Sequence, residues 1–93
     1  MTKDPRYGAV KVLIEEGYIN YFKDIFLHLP KSVLGFDMGI NNTRITRLIG
    51  HPDQFTIKEL NRIATLIDIK PMKIIHLVYG QLQMEQGKLT KNN

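Results

Sequence analysis

Apolar residues fall at helical spacing along most of the chain, and nowhere do they alternate with period two for long enough to argue for a strand. The clearest stretch is residues 31–50, KSVLGFDMGINNTRITRLIG. Leu34 and Met38, then Ile45 and Leu48, make apolar pairs on two successive short helices, and Ile40 falls between them. Gly35 stands where the two backbones would cross, and Gly39 where the chain would leave the first helix with positive φ. Three-and-four spacing alone describes any buried helix pair. The two glycines, with the registration of the two halves, single out a helix-turn-helix.

The flanking pattern is helical as well. Asp4-Pro5 predicts a helix over residues 5–16, with Asp4 as its cap, Ala9, Val10, Leu13 and either Val12 or Ile14 buried, and Gly17 as its stop. Asn20 predicts the cap of a second helix, in which Phe22, Ile25, Phe26 and Leu29 form one stripe that Pro30 ends. This spacing assigns Tyr18, Tyr21, Phe22 and Phe26 to core packing rather than to a platform for single-stranded nucleic acid. Beyond the central unit, Gly50, His51 and Pro52 stop its second helix, and Asp53 and Gln54 continue as a polar loop. Thr56 and Glu59 form a capping box, with Phe55 and Leu60 as its hydrophobic staple. That helix buries Leu60, Ile63, Ala64 and Ile67 and ends near Asp68. Pro71 opens a last helix over about 71–86, where Met72, Ile75, Val78, Tyr79 and Leu82 make one stripe and Ile74 and Leu77 add a second. Such a face is wider than one core contact needs, so Ile74, Leu77 and Leu82 are expected at a dimer interface. Residues 1–3 read as frayed and 87–93 as a solvated tail.

A chain of 93 residues, 43% hydrophobic and 24% charged, makes one globular domain with a single core, here an all-α arrangement of five or six short helices. It has no cysteine, which excludes a disulfide framework and a cysteine-ligated zinc site. His28, His51 and His76 are too scattered to suggest a metal pair, and the sequence offers no paired carboxylates, activated nucleophile or glycine-rich phosphate loop. Neither an enzyme nor a cofactor is expected. Its apolar runs are too short for a signal-peptide core or a bilayer span, which points to a soluble protein of a reducing cytoplasm. The net charge of +4 permits a polyanionic partner. Its placement says more: residues 39–52 contain no Asp or Glu, yet they hold Arg44, Arg47 and His51.

The segment 29–75, about half the chain, resembles the DNA-binding domain of the phage-repressor and Cro family. The words FKDIF, LPKSVL, DMGINNTR and FTIKELNRIATLI are similar to those of a group of short bacterial regulators of this type. The resemblance implies a compact five- to six-helix bundle of the lambda repressor-like kind, to which the helix over 5–16 is an addition. It also implies a homodimer on double-stranded DNA, at the bacterial nucleoid, with a recognition helix over about 41–50 in the major groove. By the same resemblance Asn41 caps that helix, and Asn42, Thr43, Arg44 and Arg47 read bases. Arginine can bind guanine bidentately, asparagine adenine, and threonine can meet either a polar base edge or the thymine methyl. Lys31, Ser32, Asn41, His51, Gln54 and Lys58 would hold phosphates. Arg44 falls in the first helical turn, where a cation opposes the macrodipole by up to roughly 1 kcal/mol and an acid would serve stability better. Three positions depart from the family pattern: Lys31 where glutamine is frequent, Gly35 where alanine is usual, and Ile49 where a glutamate often ties the recognition helix to the bundle. A protein-interaction module, or an antitoxin-like adaptor with a protein partner, is the alternative reading of the same bundle.

Overall fold

Gly39 ends a helix in the left-handed conformation, φ 69°, and the turn it makes sets the arrangement of the middle of the chain. The computed structural model describes residues 3–91, with side chains as far as residue 87. Helix α1 (Arg6–Glu15) leads through a 3₁₀ segment (Phe22–Leu27) to α2 (Lys31–Met38) and α3 (Asn42–Gly50). A 3₁₀ turn (Pro52–Gln54) joins α3 to α4 (Ile57–Ile67), and α5 (Pro71–Lys91) completes an all-helical bundle with no strand among the described residues. Around one core, α4 packs on α5, α1 and α2, while the first 3₁₀ segment packs on α5 and α3.

The helix ends follow two designs. At the end of α2, Ile40 N–H donates to the Gly35 carbonyl at 2.8 Å and Gly39 N–H to the Phe36 carbonyl at 3.2 Å, the paired bonds of a Schellman motif. Helices α1 and α4 finish the same way, with Gly17 (φ 82°) and Asp68 (φ 69°) in the left-handed position. At the helix starts, side chains act. Thr56 accepts from the Glu59 amide at 3.0 Å while Glu59 accepts from the Thr56 amide at 2.9 Å, so the capping box forms as expected. Phe55 and Leu60 are both buried beside it, and α4 buries Leu60, Ile63, Ala64 and Ile67 as its pattern predicts. At Gly35 the constraint is space. A Cβ there would lie 2.9 Å from the Ile40 carbonyl oxygen and 3.4 Å from Ile45 Cγ2, so α2 meets the backbone of the turn and the Ile45 side chain of α3 with no room for a larger residue.

Several expectations need correction. Helix α1 begins at Arg6 rather than Pro5, and the Asp4 carboxylate accepts from the Arg6 amide at 2.9 Å. Its buried stripe is Tyr7, Val10 and Ile14, while Ala9 and Val12 are exposed and Leu13 is half-buried. The face is decided by Tyr7, whose hydroxyl donates to Asp37 Oδ2 on α2 at 2.7 Å, giving a large aromatic ring both burial and a partner. Burial, and then the Asp37 carboxylate, push that hydroxyl well above its ordinary pKa, so it stays a donor.

Residues 22–27 form a 3₁₀ helix, not an α-helix. Its three-residue turn stacks Phe22 over Ile25, both buried, and Asn20 donates its amide to the Gly17 carbonyl instead of capping. Tyr18 is exposed, not packed. On α5 the inward stripe is Ile74, Leu77, Val78 and Gln81. Ile74 and Leu77 therefore belong to the chain's own core and are not a free dimer surface, and Leu82 is half-buried; the apolar side chains left outside are Met72 and Tyr79. The helix continues to Lys91, beyond the expected stop at residue 86, so the tail expected over 87–93 is helical as far as the structure describes it. Lys3 is not frayed, since its Nζ donates to the Leu66 carbonyl; residues 1, 2, 92 and 93 lie outside the described residues.

Two glycine substitutions should give opposite signs. Gly8 lies in α1 with nothing within 4 Å of an added Cβ, so Gly8→Ala should stabilise the fold by about 0.5 kcal/mol through helix propensity. Gly35→Ala gains the same propensity but pushes a methyl group into the Ile40 carbonyl, and should destabilise by about 1–3 kcal/mol. Urea denaturation of the two variants beside wild type measures both.

Candidate nucleic-acid interface

Burial of Ile45 and Leu48 orients α3 and turns Asn42, Thr43, Thr46 and Arg47 outward. Asn41 caps the helix, its Oδ1 accepting from the Arg44 amide at 2.8 Å, which leaves its side-chain NH₂ as a surface donor. Thr46 turns its hydroxyl back onto the Asn42 carbonyl at 2.8 Å. Arg47, one turn beyond Thr43, is exposed and has no side-chain partner among the described residues. Its five donors are therefore available to a ligand.

Arg44 is not the unopposed cation that its sequence position suggests. Its Nη1 donates to Glu59 Oε2 at 3.1 Å, and the same carboxylate holds the Thr56 amide through Oε1. The acid that α3 lacks in its first turn is thus supplied by α4, which resolves the conflict with the macrodipole. It also ties α3 to α4. Partial burial acts to raise the Glu59 pKa, but the Thr56 amide and the Arg44 guanidinium outweigh it, and the carboxyl sits below its ordinary value. Arg44 remains 39% exposed in its side chain, so one edge of the guanidinium still faces outward.

The start of α2 lies against the outer face of α3. An open depression between them is lined by Lys31, Ser32, Asn42 and Thr46, with Phe26 and Ile49 at its base. Pro30 gives α2 no side-chain cap, and while the Val33 amide donates to the Pro30 carbonyl at 3.0 Å, the Lys31 and Ser32 amides are left available to an acceptor from outside. Of the expected phosphate contacts, Lys31 and Ser32 are therefore brought together with Asn42. His51, Gln54 and Lys58 are each exposed along the turn from α3 into α4, where Asp53 interrupts the run with an acid. Two participants are not among the residues expected from sequence. Thr46 shares a helical face with Asn42, and its i, i+4 spacing is a signal sufficient to find it. Glu59 is legible only as a cap, because nothing local says which arginine faces its second oxygen.

A second open depression, about 630 Å³, lies between the N-terminal segment, α2 and α4, where Phe36 stands 86% exposed at its rim. Its cations are engaged structurally: Lys3 donates to the Leu66 carbonyl and Arg62 to the Asp37 carbonyl. Among the described residues no cluster of His, Asp or Glu could hold a metal ion, and no helix is long and apolar enough to cross a membrane. In comparisons with known proteins, no family model, curated protein or solved structure matches the chain.

The Glu59 corner makes an acid-sensitive contribution to stability. Because its folded-state pKa lies below the ordinary value near 4.5, the stabilisation is fully present above that value and is lost as pH falls through the lower, folded-state one. Glu59→Gln should cost about 0.5–1 kcal/mol near neutral pH, the exposed ion pair itself supplying only a few tenths. In urea titrations at a series of pH values, the gap between variant and wild type should close as pH falls through the lowered folded-state pKa of Glu59.

Proposed function

We propose that the chain is a sequence-specific, double-stranded DNA-binding transcriptional regulator of the bacterial cytoplasm that lays α3 in the major groove. One observation carries the reading: the outer face of α3 is free of acids and presents Asn42, Thr43 and Arg47 beside an uncapped helix start bearing Lys31 and Ser32. Base-edge recognition needs side chains with planar or forked donors and acceptors on a rigid helix, and phosphate contacts must flank them to set the register. Both requirements are met within two adjoining helix starts. Arg44 takes a reduced share of base reading in this proposal, since it must leave or share Glu59 to reach a base. The resemblance of the 29–75 segment to the phage-repressor and Cro family supports the same conclusion.

A homodimer on a two-part site completes the proposal. The surface suited to it is the exposed apolar pair Ile57 and Tyr79 beside a groove also lined by Phe55, Ile75 and Leu82, with exposed Met72 on the same helix as Tyr79. The same surface favours the second reading, an adaptor or antitoxin-like module that meets a different protein there. Light scattering on the purified chain separates them. A concentration-dependent dimer lost in Tyr79→Glu supports self-association, and a strict monomer supports the adaptor.

Binding to a randomised duplex library tests the main reading. Arg47→Ala and Asn42→Ala should each weaken the selected sequences by about 1–3 kcal/mol and relax preference at one position. Lys31→Ala should weaken all duplexes alike and reduce the salt slope by about 1. Full affinity with unchanged selected sequences in an Asn42→Ala, Arg47→Ala double variant would overturn the assignment.

A further inference from the structure

Gln81, on α5, is the one buried polar side chain among the described residues, and both ends of its amide are engaged. Its Oε1 accepts from the Lys23 amide at 2.9 Å, while its Nε2 donates to the Ile49 carbonyl at 3.3 Å and to Glu85 Oε1 at 3.1 Å. Both main-chain partners are groups that a helix end leaves over. Lys23 is the second residue of the 3₁₀ segment, whose preceding residue Tyr21 supplies no side-chain cap. Ile49 lies in the last turn of α3, where the His51 amide already serves the Arg47 and Leu48 carbonyls. A single side chain thus caps the start of one element and the end of another. Its height along the bundle is set by the preceding residue: a Cβ on Gly80 would lie 2.8 Å from the Asn20 carbonyl oxygen, so α5 meets that connection at backbone contact.

We propose that Gln81 is a positioning residue for base reading: by holding the C-terminal carbonyl of α3 from behind, it sets the tilt of the recognition helix and makes α5 a determinant of sequence specificity. This rests on the DNA-binding reading of α3. The nine residues of α3 act as a short rigid lever, so a small shift at Ile49 is carried to Asn42 and Thr43 at the other end. Base contacts depend on hydrogen-bond direction and weaken steeply when it is lost. A lysine on phosphate acts as a point charge with less demand on geometry. Loss of Gln81 should therefore appear in discrimination between sequences more than in overall affinity.

The test uses a duplex selected from a randomised library and a scrambled duplex of equal length and composition. Gln81→Met keeps the side chain's length and volume while removing the amide. It should lower the affinity ratio of selected to scrambled duplex about tenfold, the scale of one base contact, with scrambled-duplex affinity and salt slope unchanged. Val10→Ala, which opens a cavity under α1, is the control for general destabilisation and should leave the ratio as in wild type. An unchanged ratio in Gln81→Met, or an equal fall in Val10→Ala, overturns the proposal. Wild-type protein without DNA gives a separate readout, in which slow hydrogen exchange of the Gln81 side-chain amide supports the bond to Ile49 and fast exchange overturns it. If wild type shows no preference between duplexes, the DNA reading fails, base positioning fails with it, and the exchange result still decides whether Gln81 holds α3.

Discussion

A helix of eight to eleven residues leaves most of its backbone groups near an end, and the constraint that each find a partner shapes this protein from Asp4 to Gln81. Helices α2, α3 and α4 have that length, too short to persist alone in water. Each leaves up to four amides and four carbonyls unserved. Three Schellman ends, one capping box and the Asn41 cap deal with many of these locally. Others are met across the fold, Gln81 serving Lys23 and Ile49, Arg62 the Asp37 carbonyl and Lys3 the Leu66 carbonyl, while the start of α2 has no side-chain cap. Elements that could not stand singly are thereby locked to one another at their ends, with the apolar core filling the space between.

The same economy arranges charge. Asp4 is held down to about 2 by the Arg6 guanidinium and amide, Asp68 lies below its ordinary value beside Lys11, Asp37 receives the Tyr7 hydroxyl, and Glu59 takes both Thr56 and Arg44. Asp4 acts at the start of α1, and the other three fasten one element to another. None faces outward from α3, so the exposed side of that helix carries cationic, amide and hydroxyl groups and no acid. The potential that would draw a polyanion toward this surface follows from where the acids are occupied more than from the modest net charge.

Helix α1 illustrates how an added element becomes part of the scaffold. Tyr7 is buried against the core and hydrogen-bonded to α2, Lys11 pairs with Asp68 at the end of α4, and Val10 and Ile14 fill the space between. The helix is thereby fastened to α2 and to the end of α4.

Features set by near neighbours along the chain are legible in the amino-acid sequence. The two glycines of the turn, the capping box at Thr56 and Glu59, the Asn41 cap and the stripe on α4 all depend on residues three to five apart, within reach of one helical turn. Features set by distant contacts are not. Periodicity finds Val10 and allows Ile14 on the buried face of α1 but misses Tyr7, because its partner Asp37 lies thirty residues on. Ile74 and Leu77 resemble surplus apolar surface because periodicity cannot say how many neighbours surround a helix. Arg44 resembles an unopposed cation, since only the packing of α2 on both α3 and α4 brings Glu59 to it. Local chemistry along the chain therefore places most helix starts and stops and limits which residues can face outward from α3. Which faces are buried, and which charges are already taken, is settled by packing, because burial and pairing depend on elements that the chain brings together only by folding.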